Sequence, residues 1–235
     1  MKVVLFKTFK WTSAIAAYAT KIQKEVVEVE LDFYVLLHDE HNNIVIPNTF
    51  NVFSFAEKDL KSLYSVGYKG IWPSNHWATW LFYTKYPKYK YYWTVEYDVG
   101  ISGNSSLIWK YKSKSDYLHI NPIEKKGRDW GWFGTYVGNN LAEDERYASY
   151  VQILRFSNCV MKRFHEIFSS GENAQDELIL NSLIIRESFT HSYKFLNSLK
   201  KGRYSWDPKE SRHNIPLYEE SVKKGELAIY HPVKI

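Results

Sequence analysis

One aromatic segment in the middle of the chain restricts the fold more than any other feature. The run YYWTVEYDVG begins at Tyr91, carries no charge before Glu96 and ends at Gly100. Aromatic and β-branched residues are typical of strands, and a strand without charged residues on either face is normally buried between layers. Residues 91–97 are therefore predicted to form a central strand of a sheet.

The segments around this strand alternate between strand-like and helix-like patterns. Apolar runs predict strands at residues 3–6 and 31–37, and helices are predicted at residues 13–22, 75–86, 147–168 and within 172–188. The tail after Lys200 is predicted to be irregular until the strand-like LAIYHPVKI. The alternation indicates an α/β fold with a mostly parallel central sheet flanked by helices, and a chain of 235 residues fits one domain, residues 1–235.

Composition narrows the classes of partner. The net charge of +5 favours anionic ligands, but the basic residues are dispersed and form no arm for nucleic acid. Aromatic residues make up 17% of the chain, and flat rings suit stacking on sugars or bases. Motifs of P-loop enzymes, dinucleotide-binding enzymes, serine hydrolases and zinc enzymes do not occur.

Cysteine content and hydropathy indicate the compartment. The single cysteine, Cys159, excludes an internal disulfide and is predicted to be a buried helix residue, which is compatible with a reducing compartment. No stretch approaches the roughly 18 to 20 apolar residues of a membrane span. The chain is therefore predicted to be cytoplasmic. Any membrane association is predicted to be peripheral contact with the membrane surface.

The chemistry is expected at the end of the central strand. Glu96 and Asp98 are two apart on an extended segment, so their carboxylates point to the same side. Such hard oxygen ligands suit Mn²⁺ or Mg²⁺, which would also bind a diphosphate. The alternative is a pair of edge carboxylates that form salt bridges with lysines.

The segment YYWTVEYDVG resembles the metal-site strand of GT-A glycosyltransferases, in which apolar residues lead into a DxD or ExD motif. It is especially similar to the YWRVEPDV-type segment of fungal α-mannosyltransferases of the Kre2/Mnt1 family, and to the EYDV segment of a related glycosyltransferase-like group. The close match covers about ten residues, with Tyr97 where the mannosyltransferases have proline. The resemblance implies a GT-A-like domain and a nucleotide-sugar donor, without fixing which sugar is transferred.

Two further segments resemble GT-A motifs. AIYHPVKI is similar to the late histidine segment that completes the metal site, which implies His231 as a metal ligand and Lys234 as a phosphate contact. Asp176 and Glu177 loosely resemble the acidic motif at a helix start that faces the acceptor, with Asp176 favoured over Glu177. In an inverting enzyme this carboxylate would be the general base, whereas acidic residues in a first helical turn also stabilise the helix dipole.

The remaining site predictions concern loops. Trp130 and Trp132, in a glycine-bearing segment, are expected to stack on the acceptor, and Asp129 to bind its hydroxyls; packing in the core is the alternative for the rings. Thr8 and Asp39 follow predicted strands where the fold commonly holds the donor nucleotide, and turn capping is their alternative role.

These patterns together predict a metal-dependent glycosyltransferase that moves a sugar from a nucleotide diphosphate-sugar donor to a hydroxyl of a glycan or glycolipid. A non-catalytic carbohydrate-binding protein is the alternative, because exposed aromatic rings also serve lectins. Nucleic acid is not an expected partner. A glycoside hydrolase is disfavoured, since its two carboxylates must flank the bond from opposite sides.

Overall fold

A seven-stranded mixed sheet forms the centre of the protein. The structure is a computed structural model, and it describes residues 1–64, 67 and 70–234. In chain order the strands are β1 (Lys2–Thr8), β2 (Asp32–His38), β3 (Val52–Phe55), β4 (Tyr91–Glu96), β5 (Gly100–Ile101), β6 (Tyr117–Leu118), β7 (Glu124–Lys125), β8 (Tyr147–Ala148), β9 (Ile153–Ser157), β10 (His191–Ser192) and β11 (Ile229–Tyr230).

The sheet order is β10-β6-β9-β4-β1-β2-β3. The pairs β1 with β2, β1 with β4, β2 with β3 and β10 with β6 are parallel, and β9 runs antiparallel to both neighbours. The predicted α/β class with a mostly parallel central sheet is therefore confirmed, and β4 is confirmed as a central strand. That 1–235 forms a single domain stays a prediction.

Helices cover both faces of this sheet. They are α1 (Ser13–Val27), α2 (Glu57–Leu63), α3 (His76–Lys85), α4 (Ser106–Trp109), α5 (Asn158–Ser169), α6 (Asp176–Arg186), α7 (Lys194–Leu199) and α8 (Ser211–Lys224). No helix within the described residues is both long and apolar enough to cross a bilayer.

Alternate residues of β1 reach two separate hydrophobic clusters, one on each face of the sheet. Val3 and Leu5 pack in the cluster that contains Trp80 of α3, whereas Val4 and Phe6 pack in the cluster with α1. All four β1 residues have no exposed surface. A strand buried on both faces reads as a continuous apolar run, which is why β1 and β4 are recognisable in the sequence.

Three predictions about local structure are wrong. Residues 147–157 are not helical, because β9 occupies 153–157 and α5 begins only at Asn158, where the Ser157 hydroxyl accepts from the Val160 amide. A buried strand and a buried helix look alike in a short apolar run. Cys159 is exposed rather than buried, since it lies in the first turn of α5.

The tail after Lys200, which the sequence predicts to be irregular, contains a helix. Helix α8 spans Ser211–Lys224, contains Pro216, and buries mainly polar side chains such as Asn214. An internal proline and a polar buried face both hide a helix from hydrophobic periodicity.

Candidate functional site

A cleft of about 700 Å³ opens at the carboxyl ends of β1, β2 and β4. The chain places β2 on one side of β1 and β4 on the other. A reversal of strand order at the carboxyl edge of an open sheet is where such folds bind ligands. Lys7 and Glu96 are register partners on β1 and β4 at this edge, and both line the cleft.

Glu96, Asp98 and His231, here termed the ligand cluster, meet at the base of this cleft. Glu96 is the last residue of β4 and Asp98 lies in the turn that follows. His231 arrives from the far end of the chain because β11 pairs antiparallel with β5, and the Val233 amide donates to the Asp98 carbonyl at 2.7 Å. One ligand atom from each residue lies within 4.8 Å of the other two.

The donor set of the ligand cluster fits a divalent cation. It offers two carboxylates and an imidazole, and the His231 Nε2 atom is 3.6 Å from an Asp98 oxygen. The His231 Nδ1 atom is buried and has no hydrogen-bond partner among the described residues. Nε2, the ring nitrogen that faces Asp98, is the atom that a cation in the ligand cluster would bind.

Two residues that the sequence reasoning missed hold Glu96 in place. The Lys7 ammonium lies 3.5 Å from Oε1 of Glu96, and the Asn75 amide donates to the same oxygen at 3.0 Å. The lysine partner that the alternative interpretation required is thus present for Glu96, but the pair lies within the cleft, with only 10% and 20% of the side chains exposed. The sequence signal for the Lys7 contact is a charged residue directly after the apolar run of β1.

Asp176 and Glu177 begin α6 and also line the cleft. Asp176 is buried, and its Oδ1 atom accepts from the Gln175 side chain at 2.7 Å and from the Glu177 amide at 2.8 Å. Burial raises the pKa of Asp176 well above its ordinary value, and the adjacent Glu177 carboxylate raises it further. Both hydrogen bonds of the Asp176 carboxyl are thus made to residues at the start of α6.

Glu177 has a different electrostatic setting. Burial raises the pKa of Glu177 from 4.5 to about 7, while the Gln152 amide, 3.5 Å from Oε1, favours the ionised form. A carboxyl with a pKa near the working pH exchanges protons efficiently. The pKa of about 7 favours Glu177 over Asp176 as the acid–base group, and the role of either carboxyl in catalysis stays a prediction.

The predicted donor-site residues divide into two groups. Thr8 and Lys234 line the cleft. Thr8 caps its own turn, because its hydroxyl donates to the Lys10 carbonyl at 2.7 Å. Asp39 is not among the lining residues and accepts from the Asn43 and Ile44 amides, so its contacts are those of a turn cap.

The glycine-bearing loop contributes one of its three predicted residues to the cleft. Trp132 is a lining residue and contacts the Trp72 ring, with centroids 5.1 Å apart. Trp130 packs against the hydrophobic cluster on one face of the sheet instead, and Asp129 is exposed outside the cleft. Trp130 therefore packs in the core, which was the alternative for this ring. Asp129 does not line the cleft in which it is predicted to bind the acceptor.

A buried ion pair fixes this loop beside α6. Glu172 is buried and accepts from Arg186 at 2.8 Å, from the Tyr136 hydroxyl at 2.9 Å and from the Asn140 amide at 3.0 Å. Next to it, Asn173 and Val137 exchange two backbone hydrogen bonds. The loop that carries Trp132 is thus fastened to the segment that precedes Asp176.

Replacing Glu172 with glutamine is expected to lower the free energy of unfolding by about 2 kcal/mol. Loss of one partner from a buried ion pair typically costs about 3–5 kcal/mol, and the retained contact of Arg186 with Glu187 at 3.1 Å reduces that cost. Urea denaturation measures the change. The control is Glu166→Gln, an exposed partner of Arg163, which should cost less than about 0.5 kcal/mol; equal losses in the two variants would contradict the anchoring role.

Comparisons with known proteins give weak structural similarity. No protein-family model and no curated protein matches the chain. The galactosyltransferase LgtC, in complex with donor and acceptor sugar analogues, aligns with 100% of this chain and 87% of its own, at 16% identity and a TM-score of 0.45. An active-site mutant of LgtC gives 100% and 88% coverage, 16% identity and a TM-score of 0.43.

A third solved structure is a glycosyltransferase involved in glycosylation of the major capsid of PBCV-1. It aligns with 81% of this chain and 79% of its own, at 13% identity and a TM-score of 0.40. Scores and identities this low carry no conclusion about substrate, metal or activity, so any function must be argued from the cleft itself.

Proposed function

We propose that the chain is a metal-dependent glycosyltransferase of the GT-A type, which moves a sugar from a nucleotide diphosphate-sugar donor to a carbohydrate hydroxyl. The observation that carries the proposal is the ligand cluster at the strand-order reversal of a mostly parallel sheet. Two carboxylates and one imidazole whose ligand atoms lie within 4.8 Å of one another form a donor set that suits a divalent ion, which supports the proposal. The ExD strand resemblance supports the same chemistry.

The charges of the cleft explain why a cation is needed. Four carboxyl groups line the cleft, those of Glu96, Asp98, Asp176 and Glu177. Two lysines, Lys7 and Lys234, line it as well. A diphosphate would be repelled by the ionised carboxylates. Glu96, Asp98 and His231 would hold a divalent cation here, which would supply the positive charge that offsets a leaving diphosphate. Imidazole ligation favours Mn²⁺ over Mg²⁺.

The other polar groups have complementary roles in this proposal. Glu177 accepts a hydrogen bond from the acceptor hydroxyl and takes its proton during transfer, while Asp176 shapes the helix start. Thr8 and Lys234 contact the donor, with the lysine as a point charge for phosphate. Asp39 supports the donor site indirectly through the turn after β2. Kinship with the fungal mannosyltransferases remains a prediction from one strand, and mannose is not assigned as the donor sugar.

Lys7 adjusts the metal affinity, and its removal is expected to increase it. The Lys7→Met variant removes a positive charge beside the cation and one of the two donors to Oε1 of Glu96, so Mn²⁺ should bind about tenfold more tightly, or about 1.4 kcal/mol. Titration followed by the paramagnetic signal of free Mn²⁺ measures this without turnover. Lys7→Arg keeps the charge and should stay near the original affinity; weaker binding by Lys7→Met would contradict this role.

The proposed function is tested by donor turnover. The protein is incubated with a panel of uridine, guanosine and cytidine diphosphate sugars, with and without Mn²⁺, and released nucleoside diphosphate is measured. Metal-dependent release from one donor is the expected result. Absence of release from every donor, together with binding of free glycans, would replace the proposal with the carbohydrate-binding alternative.

A further inference from the structure

Exposed aromatic rings concentrate at the mouth of the cleft. Among the described residues, the large hydrophobic side chains that are exposed include three aromatic ones: Phe9 at 56%, Trp72 at 65% and Trp206 at 66%. All three line the cleft, as does the half-exposed Trp132. Single exposed apolar residues are ordinary, but a group at one opening marks a ligand site.

We call Phe9, Trp72, Trp132 and Trp206 the aromatic rim. Its members come from separate parts of the chain. Trp72 contacts Trp132, and it precedes Asn75, whose amide binds Glu96.

Trp206 lines the cleft from a distant part of the chain. The two residues before it both contact His231. The Tyr204 and His231 ring centroids are 5.2 Å apart, and the Ser205 amide donates to the His231 carbonyl at 3.0 Å. The cleft is thus lined by two indole surfaces that come from distant parts of the chain, and close sequence neighbours of each contact the ligand cluster.

We propose that the aromatic rim binds the pyranose rings of a carbohydrate acceptor that is at least a disaccharide. One ring would lie against the Trp72 and Trp132 pair, and another against Trp206. This inference rests on the proposed function and deepens it, because it names the class and minimum size of the acceptor.

The chemistry of the rim favours a sugar chain. The C–H face of a pyranose is apolar and carries a slight positive charge, which complements the electron-rich face of an indole ring. Its hydroxyls need hydrogen-bond partners at the edges, and Gln152 and Glu177 line the same cleft. The Gln152 Oε1 atom is buried and has no hydrogen-bond partner among the described residues. An alkyl chain would leave this oxygen unpaired, which costs binding energy.

The presence of two indole surfaces in one cleft favours more than one sugar ring. A single monosaccharide stacks on one indole surface, whereas the Trp72 and Trp132 pair and Trp206 together offer two. An acceptor that continues beyond its reacting ring gains the second contact. Oligosaccharides should therefore bind more tightly than methyl glycosides.

The experiment measures glycan binding to the full chain by calorimetry, without donor. The probes are methyl glycosides, disaccharides and tetrasaccharides of glucose, galactose and mannose. At least one tetrasaccharide should bind tenfold or more tightly than its methyl glycoside, and Trp72→Ala and Trp206→Ala should each weaken it about tenfold. Trp206→Tyr should restore most of the binding, because it keeps an aromatic face.

Leu217→Ala is the matched control, since Leu217 is 44% exposed on α8 and does not line the cleft. It should change glycan affinity less than twofold, and circular dichroism verifies that each variant is folded. Failure of every probe to bind, or equal affinities in the Trp206→Ala and Leu217→Ala variants, would overturn the proposal.

Donor release by the same proteins separates this inference from the proposed function. If glycan binding depends on both tryptophans but no donor is turned over, the aromatic rim is supported as a glycan site and the transferase function is rejected. If donor is turned over but neither tryptophan affects glycan affinity, the transferase function is supported and the role of the rim is rejected.

Discussion

Replacing Asp98 with asparagine is expected to lower metal-dependent sugar transfer by about three orders of magnitude. The substitution keeps the shape of the side chain but removes the charge that the cation needs. A bound metal supplies several kcal/mol of transition-state stabilisation, and about 4 kcal/mol corresponds to a 1000-fold rate. Initial rates of nucleotide release at saturating Mn²⁺ and donor measure the loss.

The fold should survive this substitution. The structural contact of Asp98 is made by its backbone carbonyl, which accepts from the Val233 amide at 2.7 Å and is unaffected by the change. Asp144→Asn, at an exposed position outside the cleft, serves as the control and should retain full turnover. Turnover of Asp98→Asn within tenfold of the parent protein would reject Asp98 as a metal ligand.

Replacing Glu177 with glutamine is expected to lower transfer by about 10²–10⁴-fold, the usual contribution of a general base. Burial raises the pKa of Glu177 to about 7. The carboxyl must be ionised to accept a proton, so the rate of the parent protein should rise with pH and level off above about 7. The variant should lose this rise. Rates between pH 5.5 and 8.5 at saturating donor test both expectations.

The same substitution should change stability in the opposite direction. A carboxyl with a raised folded-state pKa opposes folding increasingly as pH rises from 4.5 to about 7. Glu177→Gln should therefore unfold at higher temperature than the parent at pH 8, and with little difference at pH 4. An exposed control, Glu219→Gln on α8, should show neither effect. If Glu177→Gln lowered the rate by the same factor at every pH, so that the rise with pH remained, Glu177 would be assigned to positioning alone.

Strands that are buried on both faces were predictable from the sequence. Residues of β1 and β4 are apolar at consecutive positions, and the carboxylates of Glu96 and Asp98 stand out where that apolar run ends. The approach of His231 depends on the pairing of β11 with β5, two strands of two residues each. Local periodicity cannot reveal such a pairing, so His231 was placed only by motif resemblance.

Other parts of the site depend on tertiary contacts without a local signal. Lys7 resembles an ordinary strand residue until the register of β1 and β4 brings it beside Glu96. Trp72 and Trp206 carry no pattern that separates them from the buried tryptophans of α3 and β4. Burial raises the pKa of both Asp176 and Glu177, and two adjacent acidic residues in a sequence do not show this burial.

The most direct test of the account is a calorimetric titration of the protein with nucleoside diphosphates, with and without Mn²⁺. The account predicts that one nucleoside diphosphate binds at least 100-fold more tightly with the metal, and that His231→Ala and Asp98→Asn abolish this gain. Equal affinities with and without Mn²⁺ for every nucleoside diphosphate would contradict the claim that Glu96, Asp98 and His231 hold a cation for a diphosphate.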